Sequence, residues 1–190
     1  MDISMSMPDS ADPILFHYYK GLENRTFYIN SEIDDNTVDM VSIPLIMTDK
    51  ESSEPITIYL NTMGGSVFDG FNLANIIENL KSPTTIIVLG YAYSMGMYFL
   101  MAGKNKPNIT RKCYNFSTGL MHGGSSLIQG TASQVKDYYR FAERFDQKVE
   151  DFVLSHSNFT KDEYDKIERH ELYLTAEDML EKGLVDEIIQ

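Results

Sequence analysis

Apolar and polar positions along this chain follow two rhythms, one of strands and one of helices. Thr26 to Asn30 and Pro55 to Leu60 are short β-prone runs, and Thr84 to Leu89 is a continuous apolar run suited to a buried strand. Between them the spacing turns helical. Asp34 and Asp35 can cap a helix carrying Val38, Val41 and Leu45 on one side, although Pro44 falls inside it. A second helix is predicted from Val67 to about Lys81, with Leu73, Ile76, Ile77 and Leu80 on one face and Pro83 as its stop. Strands alternating with helices predict an α/β domain.

The second half continues the alternation. Gly90-Tyr-Ala-Tyr-Ser94-Met-Gly96 reads as a glycine-bounded turn, followed by a short apolar helix to about Ala102. Cys113 to Phe116 and Leu120 to His122 read as strands. A long amphipathic helix is predicted from Ala132 to His156, with Val135, Tyr139, Ala142, Phe145, Val149 and Phe152 at helical spacing. At ~1.5 Å per residue such a helix is roughly 40 Å long, so it is expected to project and to pack on something else. Thr160 with Glu163 forms a capping-box pattern, Thr175 caps a further helix closed by Gly183, and Leu184 to Ile189 is a closing strand. No linker or repeat divides the chain. The expected organisation is a mobile arm over residues 1–23 and one domain over residues 24–190.

Composition narrows the classes of function. The 190 residues, 43% hydrophobic and 23% charged, suit one globular domain with a real core. A net charge of −12 argues against a nucleic-acid binder and against an anionic membrane surface. The longest apolar runs are too short to span a bilayer, and MDISMSMPDSADP has no basic region before an apolar run, so no secretory signal is expected. A single cysteine, Cys113, fits a reducing cytoplasm and is expected to be a quiet buried thiol.

Three places could carry chemistry. Ser94 lies between a buried strand and an apolar helix, among small neighbours that permit a sharp turn presenting a hydroxyl. Taken alone, it reads first as an ordinary helix N-cap. Gly64-Gly65 follows a strand and opens a helix, where glycine lets a substrate approach bare backbone N–H groups that could hold an oxyanion; an ordinary tight turn fits as well. His122 ends a short apolar segment before Gly123-Gly124 and could accept a hydroxyl proton, or serve only as a structural hydrogen-bonding group. The histidines are scattered and no HExxH pattern occurs, so no metal site is expected.

Taken together, the chain resembles the ClpP family, the proteolytic subunits of Clp proteases, from about Asn24 to Ile189. The resemblance rests on the order of Ile33-Asp34-Asp35, Ile58-Tyr59-Leu60-Asn61-Thr-Met-Gly64-Gly65-Ser66-Val67, Gly90-Tyr-Ala-Tyr-Ser94-Met95-Gly96, Met121-His122, Gln129-Gly130-Thr131-Ala132, Leu174-Thr175-Ala176-Glu177 and Gly183-Leu184-Val185-Asp186. It implies a ClpP/crotonase-like fold of repeated ββα units, with the helix from Ala132 as a projecting handle. It implies a serine endopeptidase that works through an acyl-enzyme, with Ser94 as nucleophile, His122 as base and the N–H groups of Gly65 and Met95 as oxyanion hole. Glu171 stands where the family usually has Asp, as the third triad member. Gly64, Ser125 and Ser126 would contact a peptide added as a strand beside Ser125 to Ile128. No cofactor is implied. The implied partners are a peptide or unfolded protein, further copies of the chain in stacked heptameric rings, and an ATP-dependent unfoldase.

The chain departs from the family in places. Met63 replaces the proline of Pro-Gly-Gly, Gly123-Gly124 replaces Gln-Pro after His122, and Ser126-Leu127 replaces a later Gly-Gly. The stretch before Asn24 lacks the usual pattern of the axial-pore loop. An inactive or regulatory ring subunit is the first alternative, and a crotonase-type acyl-CoA enzyme the second.

Overall fold

The computed structural model describes residues 12–125 and 127–190. Among them are seven helices and seven strands in one mixed sheet, as the α/β pattern predicts. The strands are β1 (Thr26–Ile29), β2 (Ile56–Thr62), β3 (Thr84–Tyr93), β4 (Ile109–Tyr114), β5 (Thr118–Met121), β6 (Leu172–Leu174) and β7 (Glu187–Ile189). The helices are α1 (Pro13–Glu23), α2 (Asp35–Glu51), α3 (Val67–Glu78), α4 (Met95–Ala102), α5 (Ala132–Ser155), α6 (Lys161–Ile167) and α7 (Ala176–Glu181).

The main path of the sheet is β1-β2-β3-β4-β7, parallel throughout, because helices cross between its early strands. β2 shows how the core forms. Ile56, Ile58, Leu60 and Thr62 are buried, whereas Thr57, Tyr59 and Asn61 between them are only half-buried. The buried face meets Leu45 of α2, Leu73 and Ile77 of α3, and Phe99 of α4 in one core. On the other face Tyr28 and Tyr59 stack, with ring centroids 5.4 Å apart.

Several elements differ from their sequence reading. Residues 1–23 read as an arm; Pro13–Glu23 is α1, capped by Asp12, whose carboxylate accepts the Ile14 N–H at 2.8 Å. Residues 1–11 of that arm lie outside the described residues. α2, by contrast, agrees with its reading: it runs through Pro44 unbroken, held by its Asp34 cap and by the buried Val38, Val41 and Leu45. The strand expected to stop at Leu89 continues through Gly90 to Tyr93. There the Asn61 side chain takes the Tyr91 N–H at 3.2 Å, and a Cβ at Gly90 would come within 2.9 Å of that same oxygen. Gly90 thus marks a close approach inside a strand rather than its end. β6 went unread because three residues carry almost no periodic signal.

α5 matches its predicted span but not a buried helix. Of its side chains only Val153 is buried, and Tyr139 is 59% exposed. Its inner edge leans on α3 through aromatic rings: Phe145 lies 5.4 Å from Phe68 and 5.7 Å from Phe71.

Candidate active site

The turn at Ser94 is set by a change of strand partner. β3 pairs with β4 from Thr84 to Val88, then with β5 from Tyr91 to Tyr93. The last of these pairs matches Tyr93 to Leu120, and the Ser94 N–H donates to the Leu120 carbonyl at 2.8 Å. Ser94 therefore leaves β3 beside the end of β5, one residue before His122 in register. The His122 Nε2 lies 3.0 Å from the Ser94 Oγ, so the two candidate residues are joined by a hydrogen bond.

Ser94 holds φ 50° and ψ −119°, and its side chain makes no capping bond to α4. The N-cap alternative is thus not what its hydroxyl does. Such a conformation costs a non-glycine residue on the order of 1–3 kcal/mol and needs support from its surroundings. The support is close packing. A Cβ at Gly64 would lie 2.6 Å from the Ser94 Cβ, 2.7 Å from the Tyr93 carbonyl oxygen and 2.9 Å from the Met95 nitrogen.

Gly64 and Gly65, at φ 90° and 151°, lie in the positive range that glycine tolerates. The loop is tied to Ile33 as an isolated parallel bridge: the Ile33 N–H donates to the Gly64 carbonyl at 2.8 Å, and the Ser66 N–H to the Ile33 carbonyl at 2.7 Å. That bridge leaves the Gly65 N–H outside it. Met95 opens α4, so its N–H belongs to the first turn, where no intrahelical acceptor exists. Met95 thus follows the serine with a free first-turn N–H, and Gly64, the neighbour of Gly65, packs against the serine Cβ.

Glu171 is placed next to this pair but is not joined to it. β5 and β6 run antiparallel, and their pairing ends with Met121 opposite Leu172, one residue short of both His122 and Glu171. The Glu171 carboxylate instead accepts the Tyr173 hydroxyl at 2.8 Å. Among the described residues no hydrogen bond links Glu171 to His122. Gly123 follows the histidine and donates its N–H to the Ile167 carbonyl at 3.1 Å; a Cβ there would lie 2.6 Å from the Glu168 carbonyl oxygen. Glycine at that position lets the segment after His122 pass close to the end of α6. Ser125 lines the cleft beside the pair, and Ser126 lies outside the described residues.

The cleft has a volume of about 360 Å³ and is shared by Ser94, His122 and Ser125. Sequence reasoning missed most of its walls: Phe68 and Phe71 of α3, Tyr98 of α4, Phe141 and Phe145 of α5, and Tyr164 of α6. Tyr164 and Glu168 are four apart, the spacing that puts two side chains on one helical face, and this was the available signal. Cys113 takes no part; it is buried in β4, and burial, with the charge of Glu177, pushes its thiol up to about 11. Among the described residues no group of three or more His, Cys, Asp or Glu side chains is arranged to hold a metal ion.

The arrangement suits acyl transfer, with a hydroxyl on a strained bend, an imidazole within hydrogen-bond reach and main-chain donors alongside. The chain is 29% identical over 179 residues to the ATP-dependent Clp protease proteolytic subunit of Carsonella ruddii (strain PV), covering 94% of this chain and 91% of that protein. It is 28% identical over 169 residues to the ATP-dependent Clp protease proteolytic subunit of Porphyromonas gingivalis (strain ATCC BAA-308 / W83), covering 88% of this chain and 74% of that one. The family model described as Clp protease matches residues 12–190, a span that takes in every described residue, and the chain belongs to the Clp protease family.

Proposed function

We propose that this protein is a serine endopeptidase that cuts peptide bonds through an acyl-enzyme. The observation that carries this reading is the 3.0 Å contact between Ser94 Oγ and His122 Nε2 at a strained strand-to-helix bend. His122 takes the hydroxyl proton as Oγ attacks the peptide carbonyl. The new C–O bond forms, the C–N bond breaks, and the imidazolium returns its proton to the leaving amine. Water then enters, gives a proton to His122 and hydrolyses the ester, restoring Ser94. The N–H groups of Gly65 and Met95 face the developing oxyanion, where one donor is worth about 3–4 kcal/mol.

Glu171 is the third member in this reading. Continuing the register of β5 and β6 by one residue would bring Glu171 opposite His122, so its carboxylate would reach the imidazole once it leaves the Tyr173 hydroxyl. A peptide lies as a strand along Gly64 and the segment from Ser125, held by main-chain hydrogen bonds. No cofactor takes part. The exposed outer face of α5 supports assembly with further copies, in the stacked rings that the family resemblance implies. Unfolded proteins would reach the site inside such rings, delivered by an ATP-dependent unfoldase in the cytoplasm. No helix among the described residues is long and apolar enough to cross a membrane.

A fluorophosphonate probe tests the reading, because it esterifies an activated serine. The assembled wild-type protein should label at Ser94 and hydrolyse fluorogenic peptides. Ser94→Ala should lose the label and at least ~10³-fold of the hydrolysis. An unlabelled, inactive wild type would leave a regulatory subunit as the better reading.

A further inference from the structure

We infer that Thr62 is a positioning residue for the reaction. Its one side chain ties the loop of Gly65 to the helix of Met95 and so sets the gap between the two proposed oxyanion donors; the inference rests on the peptidase reading above. Thr62 ends β2, fully buried and opposite Ala92 of β3. Its hydroxyl donates to the Ser31 carbonyl at 2.5 Å and accepts the Gly64 N–H at 3.1 Å. Its methyl group presses on α4 one residue past Met95, where a Cβ at Gly96 would lie 2.8 Å from the Thr62 Cγ2. One side chain therefore touches the loop on one side and the first turn of α4 on the other.

The entry to the loop needs such a tie. Met63 follows Thr62, is 61% exposed, and lacks the ring by which a proline would fix φ. Gly64 is instead held at both of its polar groups: the Thr62 hydroxyl takes its N–H, and the Ile33 N–H donates to its carbonyl at 2.8 Å. Gly65 comes next in the chain. Without the hydroxyl the buried Gly64 N–H loses this partner, and a pair of glycines is free to move in search of another. That movement carries the Gly65 N–H with it. Thr62 itself does not line the cleft. A peptide strand is held at many points and an oxyanion at two, so a shift of one donor is felt first in the transition state.

Two variants separate the two contacts: Thr62→Val keeps the methyl group and loses the hydroxyl, and Thr62→Ser does the reverse. In Thr62→Val, kcat for a fluorogenic peptide should fall about tenfold while KM stays within about threefold. A peptide aldehyde, whose hemiacetal oxygen takes the place of the oxyanion, should bind about tenfold more weakly, and the matching peptide acid should bind as before. Thr62→Ser keeps the loop clasp and should lose only about threefold in kcat. Should Thr62→Val not fold, Thr62→Ser against Thr62→Ala makes the same comparison, with kcat higher in the serine variant. A kcat that does not depend on the hydroxyl, or equal weakening of aldehyde and acid, overturns the inference and leaves the peptidase reading standing. A wild type that neither cuts peptides nor takes a fluorophosphonate at Ser94 overturns both.

Discussion

Ser94 stands in a backbone conformation that few residues other than glycine adopt, and Gly64 is packed against its Cβ. Gly64→Ala would bring a methyl group into the Ser94 Cβ and the Met95 nitrogen and would force alanine to φ 90°. We expect a stability loss of about 1–3 kcal/mol and, because Ser94 and the Met95 N–H both shift, a fall in kcat/KM of at least ~10²-fold. Thermal melting and peptide hydrolysis measured on one preparation check the two effects. In the proposed triad, Tyr173 would act on the same site through Glu171. Its hydroxyl bond to that carboxylate raises the phenol and holds the carboxylate away from the imidazole. Tyr173→Phe should therefore raise kcat/KM about two- to fivefold, the effect of releasing one exposed hydrogen bond, and the gain should vanish in Glu171→Gln. An unchanged rate in Tyr173→Phe would count against Glu171 as the third triad member. Ser94, His122 and the two glycines could be singled out from their local strings, but each taken alone also fitted an ordinary structural role, and it was the order of motifs shared with the ClpP family that joined them. The clasp of Glu171 by Tyr173 was not legible, because it depends on side-chain direction at the start of a three-residue strand.

At the level of elements, α6 shows how local signals and tertiary contacts combine. Its capping box, Thr160 with Glu163, was visible in the chain and forms in both directions. The same Glu163 carboxylate also accepts from Lys182 at 2.6 Å, tying α6 to the end of α7, a contact no local pattern announces. The Lys182 ammonium, with help from the Thr160 N–H, holds the Glu163 carboxyl down at about 2, below its ordinary 4.5. A depressed carboxyl stabilises the fold above the unfolded value and loses that contribution as pH falls through the folded one. The melting temperature should therefore drop between about pH 4.5 and pH 2 by more in the wild type than in Glu163→Gln, and the two should converge near pH 2. Parallel melting curves with no convergence would rule this out. Element types were read well where periodicity ran long, as in α3 and α5. They were read poorly where a glycine looked like punctuation: beyond Gly90 the strand goes on, paired with β5 from Tyr91 and with β2 at Ala92. At Pro44 the apolar spacing that runs on to Leu45 was the better guide, and α2 continues through it.

For the molecule as a whole, burial is uneven. Parallel sheets are usually covered on both faces, yet Tyr28 and Leu89 are exposed by 43% and 40% on the side away from the core helices. The outer edge of α5 is uncovered as well. Both features support an assembled particle. Sedimentation at micromolar concentration should give a mass many times the 21.7 kDa of one chain. A charge placed on α5, as in Tyr139→Glu, should reduce that mass while leaving the far-ultraviolet circular dichroism unchanged. A wild-type protein that sediments as a single chain would refute the ring proposal. The long helix was legible from its period alone. Its contact with Phe68 and Phe71 was not, because which face a helix turns inward depends on neighbours remote in sequence.

α5 faces two ways in this geometry, since Phe141 and Phe145 wall the cleft while Tyr139 stands outside it and exposed. In the proposed particle a neighbour pressing on Tyr139 would also press on the wall of the cleft. Diluting such a particle should thus alter substrate affinity before it alters the chemistry at Ser94. KM would drift upward with dilution while the pre-steady-state rate of acylation held steady, making the enzyme a gauge of its own assembly.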